Sequence, residues 1–464
     1  MKYLLFILLT FPILVLAQEK IIVAGITNQD FLISESSDET YDLYAPSTYN
    51  ASRSYPIIVV VDFSRKNTPN NELFLEAAEK EGILLVTSNS LNNKASFSDN
   101  ILVLERMLRA VKRKVQISKN SIYIAGIGEG ARFATVAPLF MKDIKGVLSC
   151  GAPMANLEIL DANAAYNFVG IVNRNDYNLR EMIQSRKILD KYKIYNQLYI
   201  YDGVATQPTT NVLVEGMRAL KLATSDKQVL KSNENDLNNH YEASLDLANK
   251  FLLDQNILLA DHYLSEMVRM YEPYREIHTL KKSIKERRKT TIFKTSKRAE
   301  LTSFLKEDLG KQDYEFYLNE DVKEYNFSNL GWWKYQMEAL DILAKSSILL
   351  ERQRASRLRG YLYALVSDTI DSSWSSSTPD KEALSFMYML RTIISPEIYT
   401  NYLAIISLNA SMNDHDTALY YLEELLKSGY INRKQLYDLE HTALLKITPE
   451  YNDLIDAYLD NARY

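Results

Sequence analysis

One cysteine, Cys150, occurs in 464 residues. This excludes an intramolecular disulfide and any multi-cysteine zinc site. The five histidines (His240, His262, His278, His415 and His441) all fall in the second half, and residues 1–239 hold none. Chemistry confined to the first half therefore has no histidine base of its own. Glycine and proline thin out along the chain, with ten of 14 glycines and seven of 11 prolines before residue 220. Neither charge sign dominates, since 54 Lys and Arg face 59 Asp and Glu for a net charge of -5. That balance argues against nucleic acid as the main partner. Beyond the first residues there is no apolar run of the ~20 residues that a membrane-spanning helix needs.

What is present is an ordinary globular composition, 47% hydrophobic and 24% charged, long enough for two or three domains. The chain opens with Lys2, the apolar run Tyr3–Leu16 and Ala17 ahead of Gln18. A charged start, an apolar stretch and a small residue at the break predict a signal peptide over 1–17, with an uncleaved anchor as the alternative. The expected location is periplasmic or extracellular. No cysteine follows the run, so a lipid-anchored form is not expected.

Short β-branched or apolar runs recur at Tyr41–Tyr44, Ile57–Val61, Ile83–Val86, Ile122–Ala125, Val147–Cys150, Phe168–Val172 and Leu198–Tyr201. Amphipathic stretches separate them at Asn71–Lys80, Asp99–Lys114, Ala131–Met141, Leu179–Tyr192 and Asn211–Leu220. Continuous apolar strands alternating with helices predict an α/β domain over 18–225, a mostly parallel sheet with helices on both faces. From Asp226 the apolar period shifts to about 3.6, predicting an all-α domain over 226–464.

Within that helical part, Ser244, Leu247, Ala248 and Phe251, then Ala260, Leu264, Val268 and Pro273, fall near the spacing of a tetratricopeptide unit. Tyr402–Gly429 does so more loosely, through Ala418, Leu419, Leu422 and Leu426. The stretch resembles tetratricopeptide repeats, which implies stacked helix pairs with a concave surface for a protein or peptide. An irregular helical bundle is the alternative.

The run Asn120–Ala131 joins a strand, a glycine-rich turn and a helix start in twelve residues. It resembles the nucleophile elbow of α/β-hydrolases, particularly secreted esterases of the feruloyl esterase and polyhydroxybutyrate depolymerase type. In that family the elbow reads G-x-S-x-G, where small flanking residues lift the serine oxygen above the sheet. Gly126 and Gly130 keep the flanks, but Gly128 stands at the nucleophile. The run Ser54–Phe63 resembles the strand that leads to an oxyanion-hole motif, yet here it ends in Asp62-Phe63. A negative charge there would oppose a developing oxyanion. The resemblance implies that Asp176 matches the family's acid, and that the base would follow Asp202, where Val204 and Ala205 stand instead of histidine. Nucleophile and base are thus both missing, and a Ser-His-Asp mechanism is not expected.

Asp62, Glu129, Asp176 and Asp202 fall at predicted C-terminal strand ends, where open sheets hold ligands. They form a candidate cleft for a small molecule or glycan, or paired carboxylates for acid and base work. Equally, acidic residues at such points cap and start helices. Gly126, Gly128 and Ala131 also satisfy a dinucleotide-binding pattern, but Glu129 in the turn would repel phosphate. No cofactor and no metal is expected. Asp414 and Asp416 around His415 suit a helix start better than a metal site, and His262 beside Asp261 reads as a packed or surface histidine. Lys281–Arg298 carries nine basic residues against Glu286 alone, suggesting a solvated face or an anionic partner. Trp332-Trp333 reads as an anchor for a helix in the helical core. The function expected is that of an exported pseudo-hydrolase with a helical module binding protein or peptide. An active esterase, a hydrolase of altered mechanism and a carbohydrate-binding protein are the alternatives.

Overall fold

The structure, a computed structural model, describes residues 21–63, 71–154, 166–203, 207–225 and 234–459. The signal-peptide expectation at 1–17 lies outside them. The first part holds β1 (Thr27–Leu32), β2 (Thr40–Tyr44), β3 (Tyr55–Val61), α1 (Asn71–Glu81), β4 (Leu84–Ser88), α2 (Phe97–Lys114), β5 (Ile117–Ile127) and α3 (Glu129–Phe140). It continues with β6 (Gly146–Cys150), β7 (Asn167–Asn173), α4 (Leu179–Lys191), β8 (Asn196–Tyr201) and α5 (Thr210–Thr224). One eight-stranded sheet runs in the order β1-β2-β4-β3-β5-β6-β7-β8. β2 is antiparallel to both β1 and β4, whereas β3 runs parallel to β4 and β5, and β7 parallel to β8.

The mostly parallel α/β architecture agrees with the sequence expectation. Ile57–Val61 is buried throughout, as a strand covered on both faces requires. β1 is the strand that the sequence pattern omits: Thr27–Leu32 opens with four polar residues and is half exposed, with a register break between Asn28 and Phe31.

The helical part comprises α6 (Glu234–Leu253), α7 (Ile257–Tyr271), α8 (His278–Lys289), α9 (Thr291–Lys323), α10 (Leu330–Ala344), α11 (Leu349–Trp374), α12 (Lys381–Ile394), α13 (Tyr399–Ser411) and α14 (His415–Lys427). Three shorter helices follow, α15 (Arg433–Tyr437), α16 (Ala443–Lys446) and α17 (Pro449–Leu459). No described helix is long and apolar enough to cross a membrane.

Two compact units emerge, and their boundary differs from the sequence cut at 225/226. The first is Met1–Leu148, Ala164–Asn167 and Thr209–Ser225, and the second is Ser149–Asn163, Phe168–Pro208 and Asp226–Tyr464. β7, α4 and β8 thus cluster with the helices. In the first unit, Glu81 on α1 is buried between Arg218, at 3.0 Å, and Lys221, at 2.9 Å, both on α5. In the second, Trp333 is fully buried in a cluster with Tyr314, Leu362 and Phe386. Its Nε1 donates to Asp321 Oδ2 at 2.8 Å, so the Trp332-Trp333 pair does anchor α10.

Candidate functional site

The elbow is built by three glycines with two different physical duties. Gly128 adopts φ 56° and ψ -118° just before α3, a left-handed conformation that side chains adopt only under strain. Its carbonyl accepts the first helical bond, from Arg132 N–H at 3.0 Å. The flanking glycines answer to space. A Cβ on Gly126 would stand 2.3 Å from the carbonyl carbon of Gly130, and one on Gly130 would stand 2.3 Å from the carbonyl oxygen of Val61. By contrast, a Cβ on Gly128 would meet nothing within 4 Å. The turn therefore keeps the steric form of an elbow whose middle side chain stands in open space, and it has no side chain there.

Around it, Asp62 is buried directly after β3. Phe63 packs edge-on to Phe133 of α3, with ring centroids 5.8 Å apart. Glu129 is exposed in the first turn of α3, where a negative charge complements the helix dipole. Asp62 and Glu129 follow adjacent parallel strands, β3 and β5, in the first unit.

Asp176 and Asp202 follow β7 and β8 in the second unit. Asp176 Oδ1 accepts from Asn178 N–H at 2.8 Å, folding the turn into α4. A Cβ on Gly151, which has φ 75°, would come 3.0 Å from Asp176 Oδ2. Asp202 lies 3.5 Å from Arg174 and accepts from Asn256 Nδ2 at 2.8 Å. Gly203 carbonyl accepts from Asn173 Nδ2 at 3.1 Å. Val204 and Ala205 lie outside the described residues. Among the described residues no three His, Cys, Asp or Glu side chains gather as a metal-holding group. Asp414 caps α14, accepting from Thr417 N–H at 3.1 Å. Cys150 is buried, and burial pushes its thiol up, away from nucleophilic use.

His262 has a duty that its sequence context did not reveal. It sits on α7 with its Nε2 2.5 Å from the carbonyl oxygen of Leu198. One turn on, Glu266 Oε2 accepts from Leu198 N–H at 3.1 Å. Helix side chains thus satisfy both backbone groups of a residue on β8, the last strand of the sheet. Burial lowers the His262 pKa, with Arg186 acting in the same sense and Glu266 opposing. Arg186 in turn pairs with Glu266.

Also missed by sequence reasoning is a cavity of about 590 Å³ in the second unit, bounded by α4, β8, α7, α8 and α9. The basic run at 281–298 was its only visible trace, because Arg288 and Lys297 line it.

No family model and no curated protein matches the chain. Solved structures do. Esterase B from Lactobacillus rhamnosis is similar at 13% identity over 47% of this chain and 92% of that one, with a TM-score of 0.36. A hyperthermophilic esterase from Pyrobaculum calidifontis is similar at 11% identity over 44% and 88%, with a TM-score of 0.37. A protein described as a dipeptidyl aminopeptidase IV from Bacteroides ovatus is similar at 12% identity over 42% of this chain, with a TM-score of 0.31. The chain spans 34% of that last protein's length.

Proposed function

We propose that the chain is an exported protein of α/β-hydrolase type that has lost hydrolysis and acts by binding a protein or peptide through its helical part. The observation that carries this reading is Gly128. The backbone of the elbow is present in detail, with crowded flanks and an open centre, yet the centre has no oxygen to attack a carbonyl. Histidine is absent from residues 1–239, so a serine placed there would find no base within the α/β part itself.

Binding through the helices is supported by a cavity of about 710 Å³ lined by Met389, Met412, Tyr420 and Tyr421 together with Glu382 and Asp414. Aromatic and methionine side chains beside carboxylates suit a peptide carrying a basic residue. The test has two arms. Purified protein should hydrolyse p-nitrophenyl acetate and a feruloyl ester at the background rate. A random peptide array should return basic sequences whose binding is lost in Tyr421→Ala and Glu382→Lys. Ester turnover that disappears in Asp176→Ala would overturn the reading, and so would an array without hits.

A further inference from the structure

We infer that the cavity flanked by α4, β8, α7, α8 and α9 binds a free carboxylate with an apolar body. Its floor is the buried cluster of Leu179, Leu198 and Phe304, with Ile183 and Ile200 packed against it. Its volume, about 590 Å³, falls in the range of small-molecule sites, which are apolar with a few placed polar groups.

The charge of the wall decides the head group. Arg174, Arg180, Arg186, Lys187, Arg288 and Lys297 line the cavity, and Asp261 and Glu300 are the acids facing them. Most of these cations are engaged. Arg288 grips Asp261 with Nε at 2.9 Å and Nη2 at 2.9 Å, and Lys297 holds Glu300 at 2.6 Å. Arg180 pairs with Asp308 at 2.7 Å and stacks over Phe304 at 4.6 Å. Arg186 and Arg174 pair with Glu266 and Asp202. Among the described residues, Lys187 alone of the set makes no ion pair. It lies on the same α4 face as Ile183 and Arg180, four and seven residues back, and it lines the cavity with an exposed side chain. One uncompensated cation matches one negative charge. A cationic amphiphile would meet only repulsion from it, and a dianion would find one partner for two charges.

The test is calorimetric titration of the full chain with decanoate, decanol, decyltrimethylammonium and phosphatidylglycerol vesicles. Decanoate should bind, and decanol should bind at least about tenfold more weakly for want of the charged hydrogen bond. Lys187→Glu, at an exposed side chain, should weaken decanoate by a similar factor while leaving the melting temperature unchanged. Leu301→Glu, at a half-open apolar wall position, should weaken it as well. Absence of decanoate binding, equal binding of decanol, indifference to Lys187→Glu, or binding to vesicles without binding to decanoate would each overturn the inference.

Discussion

Nε2 of His262 donates to the carbonyl oxygen of Leu198, 64 residues earlier in the chain, across 2.5 Å. The carbonyl can only accept, so this nitrogen carries the hydrogen, and the lowered pKa favours the neutral ring. With Glu266 accepting from Leu198 N–H, α7 gives this residue of the final strand the two backbone partners that a further strand would have supplied. Exposed strand edges invite pairing with other chains, and here the edge is covered by a helix.

This arrangement should make the protein sensitive to mild acid. The folded state holds the His262 pKa below its ordinary 6.5, so below about pH 6.5 the unfolded chain binds the proton more readily. Stability from this group is present above 6.5 and is lost as pH falls toward the folded pKa. Thermal melts between pH 7.5 and 5.5 should show a fall that is absent in His262→Gln. A parallel fall in the variant would refute the assignment.

The three elbow glycines should differ in their tolerance of alanine. Gly130→Ala forces a Cβ onto the Val61 carbonyl oxygen, a backbone atom with little room to yield, and should cost about 3 kcal/mol. Gly126→Ala meets backbone in the same way. Gly128→Ala meets only its own left-handed backbone and should cost about 1 kcal/mol. Urea unfolding of the three variants gives the order directly, and equal costs would mean that the turn relaxes.

Arg357 and Glu307 form an ion pair at 2.7 Å with both side chains almost wholly buried. Arg357 also donates to the Arg174 carbonyl oxygen at 2.7 Å. Replacing Glu307 by Leu leaves an uncompensated buried cation and should cost about 3–5 kcal/mol. The double variant Glu307→Leu with Arg357→Met should recover most of that loss. Denaturant titration of both would show it, and a double variant no better than the single would refute it.

The Asp414-His415-Asp416 trio should behave as a helix start. Asp414→Ala removes the acceptor for Thr417 N–H and should cost about 1 kcal/mol. Its melting temperature should not respond to added zinc or to chelator, and a zinc-dependent rise in the native chain would contradict this.

The elements most legible in the sequence are those whose information is local. Ile57–Val61 and Phe168–Val172 are buried apolar runs bounded by turns, and both are strands. The elbow is legible for the same reason, because Gly126, Gly128 and Gly130 impose their geometry within five residues. β1 escaped because an exposed end strand such as Thr27–Leu32 needs no apolar alternation. Glu81 and Arg218 escaped because burial of charge depends on a partner 137 residues away. The role of His262 and the basic cavity share that cause: α7 and α9 reach β8 and α4 through tertiary packing, to which a helical period alone is blind.

The covered edge also bears on where the chain can be divided. A cut at residue 225 looks natural from composition, since strands and turns give way there to helices. Such a fragment would keep β8 while discarding His262 and Glu266, exposing the Leu198 amide and carbonyl to any passing strand. A piece that keeps β8 must therefore reach at least past Glu266 to keep both partners of Leu198, and one cut at 225 is a candidate for strand-swapped dimers or aggregates.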